Sequence, residues 1–532
     1  MIIYRQIQVF NTYSTFVFSK RGWRPAVRIH TIDGMMRRIP TLLVLLGIVV
    51  CALVNAGNFG VIDTVRRLQV ARWMRLGEPP VTPEDARIGF GLKGRNGVVH
   101  AWYGMGQSLV LTPIDAMAEA AVAPIARRAG LDTVRQKQIV ELTDAFLMQA
   151  LLTACALLLA YRILQHFEFG PRFSVAGVLG LLFATTCLQY IQCAQENHLL
   201  LTLALAALAA ICVWHRTAAP KWALLAGLAC GFAILVRLTS VAEAGCLALF
   251  AVTAGSRQRR FLGWFAPPVA AALLIDRWYH WHRFGEWFST YTGMLGRHRP
   301  EGFPASYPFS YPFWKGFLGT LFSLDKSIFL FDPLLVVVLM VAVRYRKQLK
   351  RSVGVLLGCL ALLLLVYITA FARYYGFGGD VAWGHRFVLV PVELLCLFAV
   401  PLLLQQRSRA LWAIVCASVV LQIASTVISP NTEVVQRERG YTQGVLWNRA
   451  VNLAQIARGR EDPQRFAGIP VEWRSISYFP FQLRMRFPGL APWAIAGWLV
   501  LLISLPVLVY VLWSAASWGI SPNHQRGPSP RH

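Results

Sequence analysis

This sequence has little charge for its length. Of its 532 residues only 14% are charged, while 56% are hydrophobic; in soluble globular chains roughly a quarter are charged. The shortage excludes a large water-facing domain. Acids are scarcer still, with 25 Asp and Glu against 52 Lys and Arg and a formal charge of +27. On one soluble face that excess would suggest nucleic acid. It lies instead in short connections beside apolar runs, with no domain to present a basic groove, so a nucleic-acid partner is not expected. No cysteine pair has metal-binding C-x-x-C spacing. All ten, from Cys51 to Cys416, fall inside or at the edge of apolar runs, where thiols behave as small hydrophobes. No repeat of fixed period is present. The 38 residues before the first apolar run are too long and too polar for a secretory leader, and no small-residue cleavage motif follows that run, which therefore reads as an uncleaved helix. The leader is expected to be a short cytoplasmic head, or an over-extended start with Met35 or Met36 as the beginning.

What the chain does have is long apolar stretches. Residues 39–56, 143–164, 353–372 and 410–429 are examples, each near the roughly 20 residues that a helix rising ~1.5 Å per residue needs to cross ~30 Å of hydrocarbon. The expected fold is all-α and polytopic, with about twelve transmembrane helices and interfacial helices in the first outer loop. Seven Lys and Arg in residues 1–38 keep the N-terminus inside, and alternation puts the densest basic cluster, Arg344, Arg346, Lys347, Lys350 and Arg351, on the same side. The division is then 1–38, basic cytoplasmic N-terminus; 39–429, transmembrane region with outer loop 58–142; 430–490, outer loop; 491–515, last transmembrane helix; and 516–532, cytoplasmic tail. The opposite face receives 58–142, 277–327, 373–385 and 430–490, with nearly all the Trp, Tyr, His and acids outside the spans. Any chemistry is expected there. Val61, Val65, Leu68 and Leu76 share one side of a helix suited to the interface plane. Residues 108–126, interrupted by Pro113, Asp115 and Glu119, suit a second interfacial helix or a re-entrant one.

Asp63 follows the first span closely. A carboxylate there can take a proton from an acceptor hydroxyl or hold a cation, or simply favour a helix N-terminus. Glu196, in Gln-Glu-Asn-His at a span entrance, is a second acid whose alternative role is a cap. Residues 89–94 match G-x-G-x-x-G formally, but no strand precedes them and no helix starts on them, so a dinucleotide site is not expected. What remains is a cationic turn in which Lys93 and Arg95 can meet a phosphate, or face solvent. Between the ninth and tenth spans, His385 and Arg386 can bind an anion, and Trp383 or Tyr375 can stack on a sugar or prenyl chain; an interfacial aromatic belt is the plainer account. Arg237, at the outer end of the fifth span, is a further cation that can also snorkel.

In order along the chain, several pieces resemble the GT-C superfamily of membrane glycosyltransferases, in particular bacterial relatives of the protein O-mannosyltransferases and of the lipid A aminoarabinose transferase. They are Asp63-Thr-Val-Arg-Arg-Leu, Gly97-Val-Val-His-Ala-Trp-Tyr-Gly-Met-Gly-Gln-Ser-Leu, Glu196-Asn, Gly231-Phe-Ala-Ile-Leu-Val-Arg-Leu-Thr, Leu318-Gly-Thr-Leu-Phe-Ser ahead of Phe329-Leu-Phe-Asp-Pro, and Trp383-Gly-His-Arg-Phe. The resemblance covers about residues 40 to 430 and implies transfer of a sugar, with inversion, from a polyprenyl-phosphate donor to an acceptor glycan, lipid or protein at the outer face of the cytoplasmic membrane, among membrane lipids. It implies Asp63 as base, Glu196 as an acceptor-binding or metal-binding acid, and Lys93, Arg95, His385, Arg386 and Arg237 as donor-phosphate cations. No cofactor is firmly implied, although some members use a divalent metal ion. Two departures stand out: Thr64 where many members carry a second acid, and Leu324-Asp325-Lys326 where Ser-Pro-Gly-like residues are expected. Two other readings remain open. An oligosaccharide polymerase or ligase is suggested by Arg437, Arg439, Arg449, Arg458, Arg460, Arg465 and Arg474 of the late loop; a secondary transporter or lipid flippase would favour similar halves and charges deep within spans.

Overall fold

The computed structural model describes residues 38–255, 258–297, 302, 304–379, 382–406, 408–438, 440, 444–458, 476–486 and 489–517. The basic leader, the C-terminal tail, and Arg439, Arg460, Arg465 and Arg474 lie outside the described residues. The protein is all-α and membrane-like. Among the described residues its one sheet is a pair of two-residue strands, β1 (Leu92–Lys93) and β2 (Val99–His100), with Leu92 opposite His100 and Lys93 opposite Val99.

Apolar runs become helices because a helix satisfies its own backbone groups where no water is at hand. Among the described residues six are long and apolar enough to cross a membrane: Gly106–Arg128, Thr133–His166, Glu196–Thr217, Arg351–Phe371, Arg409–Val427 and Ala491–Ser517. Pro171–Phe183 and Cys187–Cys193 form a seventh candidate bent by 55°. By length and composition these account for six crossings, or seven with the bent pair taken as one. Ile39–Val54, Pro220–Val236, Leu238–Ala254, Leu334–Arg344 and Leu389–Gln405 are apolar but shorter. The 11 residues of Leu334–Arg344 rise only about 16 Å, about half the hydrocarbon thickness. The segment read from sequence as interfacial or re-entrant is the Gly106–Arg128 helix. Its Asp115 is buried and neutralised by Arg72 (2.9 Å) and Arg75, and its Glu119 pairs with Arg75 at 2.7 Å, which lets an otherwise apolar helix keep its acids.

The Glu196–Thr217 helix lies at the centre, packed on Thr133–His166 and Pro220–Val236, with Leu201, Leu205, Leu208 and Ile211 fully buried. Ile39–Val54 rests on Thr133–His166 and is flanked by Ala491–Ser517, an outermost helix that leaves Trp493, Ile503 and Tyr510 exposed, as a lipid-facing element would. Between helices in lipid, close packing and hydrogen bonds replace the hydrophobic drive. The break after Phe183 shows this: Asp332 accepts from the Thr186 amide (2.7 Å) and hydroxyl (3.0 Å), pairing backbone that the bend releases. That bend sends the chain through Ala194 into Glu196.

Candidate active site

The Ile62–Leu76 helix starts soon after the first apolar helix, with Asp63 in its first turn. Its buried face is Thr64, Arg67, Leu68, Val70 and Ala71. The apolar stripe read from sequence is thus only partly buried: Leu68 is, whereas Leu76 is exposed, because the helix rests on protein through a mixed face. Asp63 accepts a hydrogen bond from the Tyr103 hydroxyl at 2.6 Å and pairs with Arg386, 323 residues away, at 3.3 Å. Burial, and then the Asp63 charge, push the Tyr103 pKa well above its ordinary value, so the phenol stays a donor. Tyr103 reaches this position because Gly104 lies against the end of the Pro220–Val236 helix, where an added Cβ would come within 2.4 Å of the Leu235 carbonyl oxygen.

One turn along from Asp63, Arg67 faces the same way. Its guanidinium sits 4.2 Å above the Tyr103 ring and forms an ion pair with Glu196 at 2.8 Å. The other Glu196 oxygen is held by Arg237. Asn197 joins the parts, donating to the Arg386 carbonyl (2.5 Å) and accepting from Arg237 at 3.5 Å. Arg237 and Arg386 both flank the Phe387 ring, at 5.6 and 5.3 Å. Ala194, just before this helix, is held in the left-handed region at φ 50°, unusual for a residue with a Cβ. Its carbonyl accepts from Thr64 (2.9 Å) and Gln107 (3.1 Å). Thr64 is therefore a buried strut; the second carboxylate of the cluster comes from Glu196, not from the residue after Asp63.

His385 is buried between the edges of Phe377 and Phe387, and burial, with Lys326 and Arg386 nearby, lowers its pKa to about 3. It is a neutral imidazole, able to donate one hydrogen bond but carrying no positive charge. Lys326, from the second departure, is buried with its ammonium on the carbonyls of Ala382 (2.6 Å) and Gly384 (3.2 Å), while Asp325 accepts from the Val445 amide. Gly379, at φ 79°, lies so close to Arg386 that a Cβ would come within 2.4 Å of its side chain. Trp383 is buried, donates to Gln422 and meets Phe331 edge-on, so it cannot stack on a ligand as the sequence suggested. Tyr375 is exposed.

Lys93 and Arg95 are exposed on the β1–β2 turn. The turn hangs on the Gln258–Phe284 helix: the Arg95 amide donates to the Arg283 carbonyl (3.0 Å) and its guanidinium lies 4.8 Å from the Trp281 ring. Buried Arg283 in turn donates to the carbonyls of Ala101 (2.5 Å) and Tyr103 (3.1 Å). The structure thus assembles Asp63, Glu196, Arg237 and Arg386 in one cluster, sets His385 behind it, and leaves Lys93 and Arg95 on a neighbouring hairpin. Among the described residues no group of three or more His, Cys, Asp or Glu is placed to hold a metal. Both oxygens of Glu196 are taken by arginines, so it does not fit a metal-ligating role.

No family model and no curated protein matches the chain. Its architecture is similar to the apo crystal structure of the Archaeoglobus fulgidus oligosaccharyltransferase, at 13% identity and a TM-score of 0.39, over 93% of this chain and 58% of that one. It is also similar to the same organism's enzyme in complex with an inhibitory peptide and a dolichol-phosphate, at 12% identity and a TM-score of 0.36, over 93% and 57%. Both neighbours are oligosaccharyltransferases. The chain spans less than three fifths of their length.

Sequence reasoning missed Tyr103, Arg67, Asn197 and Arg283. Arg67 had a signal, its i+4 spacing from Asp63 on one helix. Tyr103 and Arg283 had none, since their partners are set by loop packing. Together the cluster offers a hydrogen-bonded carboxylate beside three guanidinium groups. Three positive charges against the two of Asp63 and Glu196 leave an excess of one, which favours an anionic ligand.

Proposed function

We propose that the chain is a membrane glycosyltransferase that moves a sugar from a polyprenyl-phosphate donor to an acceptor at the outer face of the cytoplasmic membrane. The observation that supports it is the partly exposed Asp63 carboxylate, held in the first turn of the Ile62–Leu76 helix against Arg386 and beside the Arg67–Glu196–Arg237 group. In this reading Asp63 takes the proton of an acceptor hydroxyl as that oxygen attacks the anomeric carbon. The bond from that carbon to the phosphate oxygen breaks with inversion, and its electron pair leaves on the prenyl phosphate. Arg386 and Arg237 neutralise that phosphate, a preorganised electrostatic contribution, and Glu196 keeps Arg67 and Arg237 in place without discharging the group. Lys93 and Arg95 serve as outer-rim cations. The polymerase or ligase reading gains nothing from Arg449, which is buried in a bidentate pair with Glu433 (2.6 and 2.9 Å).

The test is purified protein in lipid nanodiscs with radiolabelled polyprenyl-phosphate sugars. Wild type is expected to release prenyl phosphate as sugar appears on acceptor, and Asp63→Asn to cut transfer by roughly 10²–10⁴-fold, the usual worth of a general base, at unchanged abundance and membrane insertion. Near-normal transfer by Asp63→Asn would overturn the reading, as would passage of substrate across the bilayer without bond breakage.

A further inference from the structure

Away from Asp63, residues 290, 292–293, 296–297, 305 and 307–309 line an open cleft of about 420 Å³, within the range of small-molecule sites. Its walls bring together three kinds of group. Thr290 and Thr292 place their hydroxyls 2.8 Å apart. Arg297 lines it while bonded bidentately to Glu286 at 2.8 and 2.6 Å. Tyr307 and Phe309 supply rings.

The cavity is coupled to the arginine cluster. The Tyr375 amide donates to the Pro308 carbonyl (2.7 Å) and the Tyr311 amide to the Arg373 carbonyl (3.0 Å), so its wall is fastened to the loop that runs on to Arg386. Aromatic rings continue the link: Phe309 meets Tyr374 at 5.7 Å, Tyr374 meets Phe387 at 5.7 Å, and the Arg386 guanidinium lies 5.3 Å from Phe387.

We infer that this cavity is a subsite for a neutral saccharide, which acts as the acceptor; only the acceptor role rests on the transfer reading above. Aromatic faces suit the C–H faces of a pyranose, while paired hydroxyls and a bidentate ion pair suit its hydroxyl groups. Among the described lining residues a phosphate would find no excess charge, because Glu286 cancels Arg297. A hydrocarbon chain would cover the Arg297–Glu286 ion pair without offering it a hydrogen bond. A peptide added as a strand would need an open sheet edge, and the described residues form none beyond the two-residue hairpin.

The full-length protein in nanodiscs is titrated with maltose, cellobiose, chitobiose and mannobiose and followed by saturation-transfer NMR, with no donor present. At least one disaccharide is expected to receive saturation. Gly293→Leu is expected to weaken that binding about tenfold or more, since a Cβ at Gly293 is accommodated, its nearest neighbours being Ser289 Oγ at 3.4 Å and Thr290 Oγ1 at 3.7 Å, and the longer side chain then occupies the cavity. Thr292→Val, which keeps shape and removes a hydroxyl, guards against misfolding of the larger variant and is expected to weaken binding as well. No saturation of any disaccharide, or undiminished binding in both variants, overturns the subsite. Sugar transfer without cavity-dependent saccharide binding sinks this inference alone, whereas cavity-dependent binding with no donor consumption sinks the transferase reading, and the acceptor role with it.

Discussion

Beside Arg386, His385 would ordinarily titrate near neutral pH. The folded chain lowers its pKa to about 3, while the unfolded chain takes up that proton near pH 6.5. Above pH 6.5 both states are neutral and the contribution to stability is complete. As pH falls from 6.5 towards 3 the unfolded state binds the proton first, and stability is lost. His385→Gln is therefore expected to flatten the fall of melting temperature between pH 6.5 and pH 4 in solubilised protein; parallel wild-type and variant curves would contradict it. At this scale the sequence was legible wherever a polar residue interrupts an apolar run, because its isolation marks it: Asp63, Glu196, Arg237 and Arg386 stand out in that way. Tyr103 does not, since a tyrosine among Trp, Gly and Met in an outer loop looks like any interfacial aromatic. Trp383 misled for the same reason, its burial behind Gln422 and Phe331 being set by distant chain.

Helices and loops transmit these placements. Arg283 stacks on Tyr279 at 3.9 Å and pins the Ala101 and Tyr103 carbonyls, so it positions the segment that presents Tyr103 to Asp63. Arg283→Met is expected to lower the transfer rate constant about tenfold or more through misplacement of that segment, with acceptor KM moved less; a change confined to KM would count against it. The Pro430–Glu438 and Val445–Arg458 helices are joined by Arg449 and Glu433, both buried. Arg449→Met strands a buried carboxylate and is expected to destabilise by about 3–5 kcal/mol, whereas adding Glu433→Met should restore much of that. Thermal melting of the two variants separates an ion pair that stabilises from one that merely avoids an unpaired charge. The helices themselves were legible from apolar length. Where they end was less so: Gly106–Arg128 continues past Asp115 because Arg72 and Arg75 arrive from another helix.

For the whole molecule, orientation decides which face of the membrane carries Asp63. Lys93 and Arg346 are both exposed, on the β1–β2 turn and after the Leu334–Arg344 helix. With the basic connections inside, Lys93→Cys should react with a membrane-impermeant maleimide in intact cells, and Arg346→Cys only after permeabilisation. The native thiols leave a low background, since eight of the ten are buried, Cys155 is half-buried and Cys416 alone is exposed, on the apolar Arg409–Val427 helix. The reverse labelling pattern would put Asp63 in the cytosol and remove the outer-face reading.

Composition and apolar length alone determined that this is an all-α, membrane-like protein, because hydrocarbon admits few other ways to pair a backbone. Only the tertiary structure decided which charges meet. Arg386 reaches Asp63 across 323 residues through a glycine turn laid against its own side chain, and Glu196 collects Arg67 and Arg237 because the chain bends at Thr186 and again at Ala194. Such meetings depend on close packing between distant segments, which residue spacing along one segment does not encode.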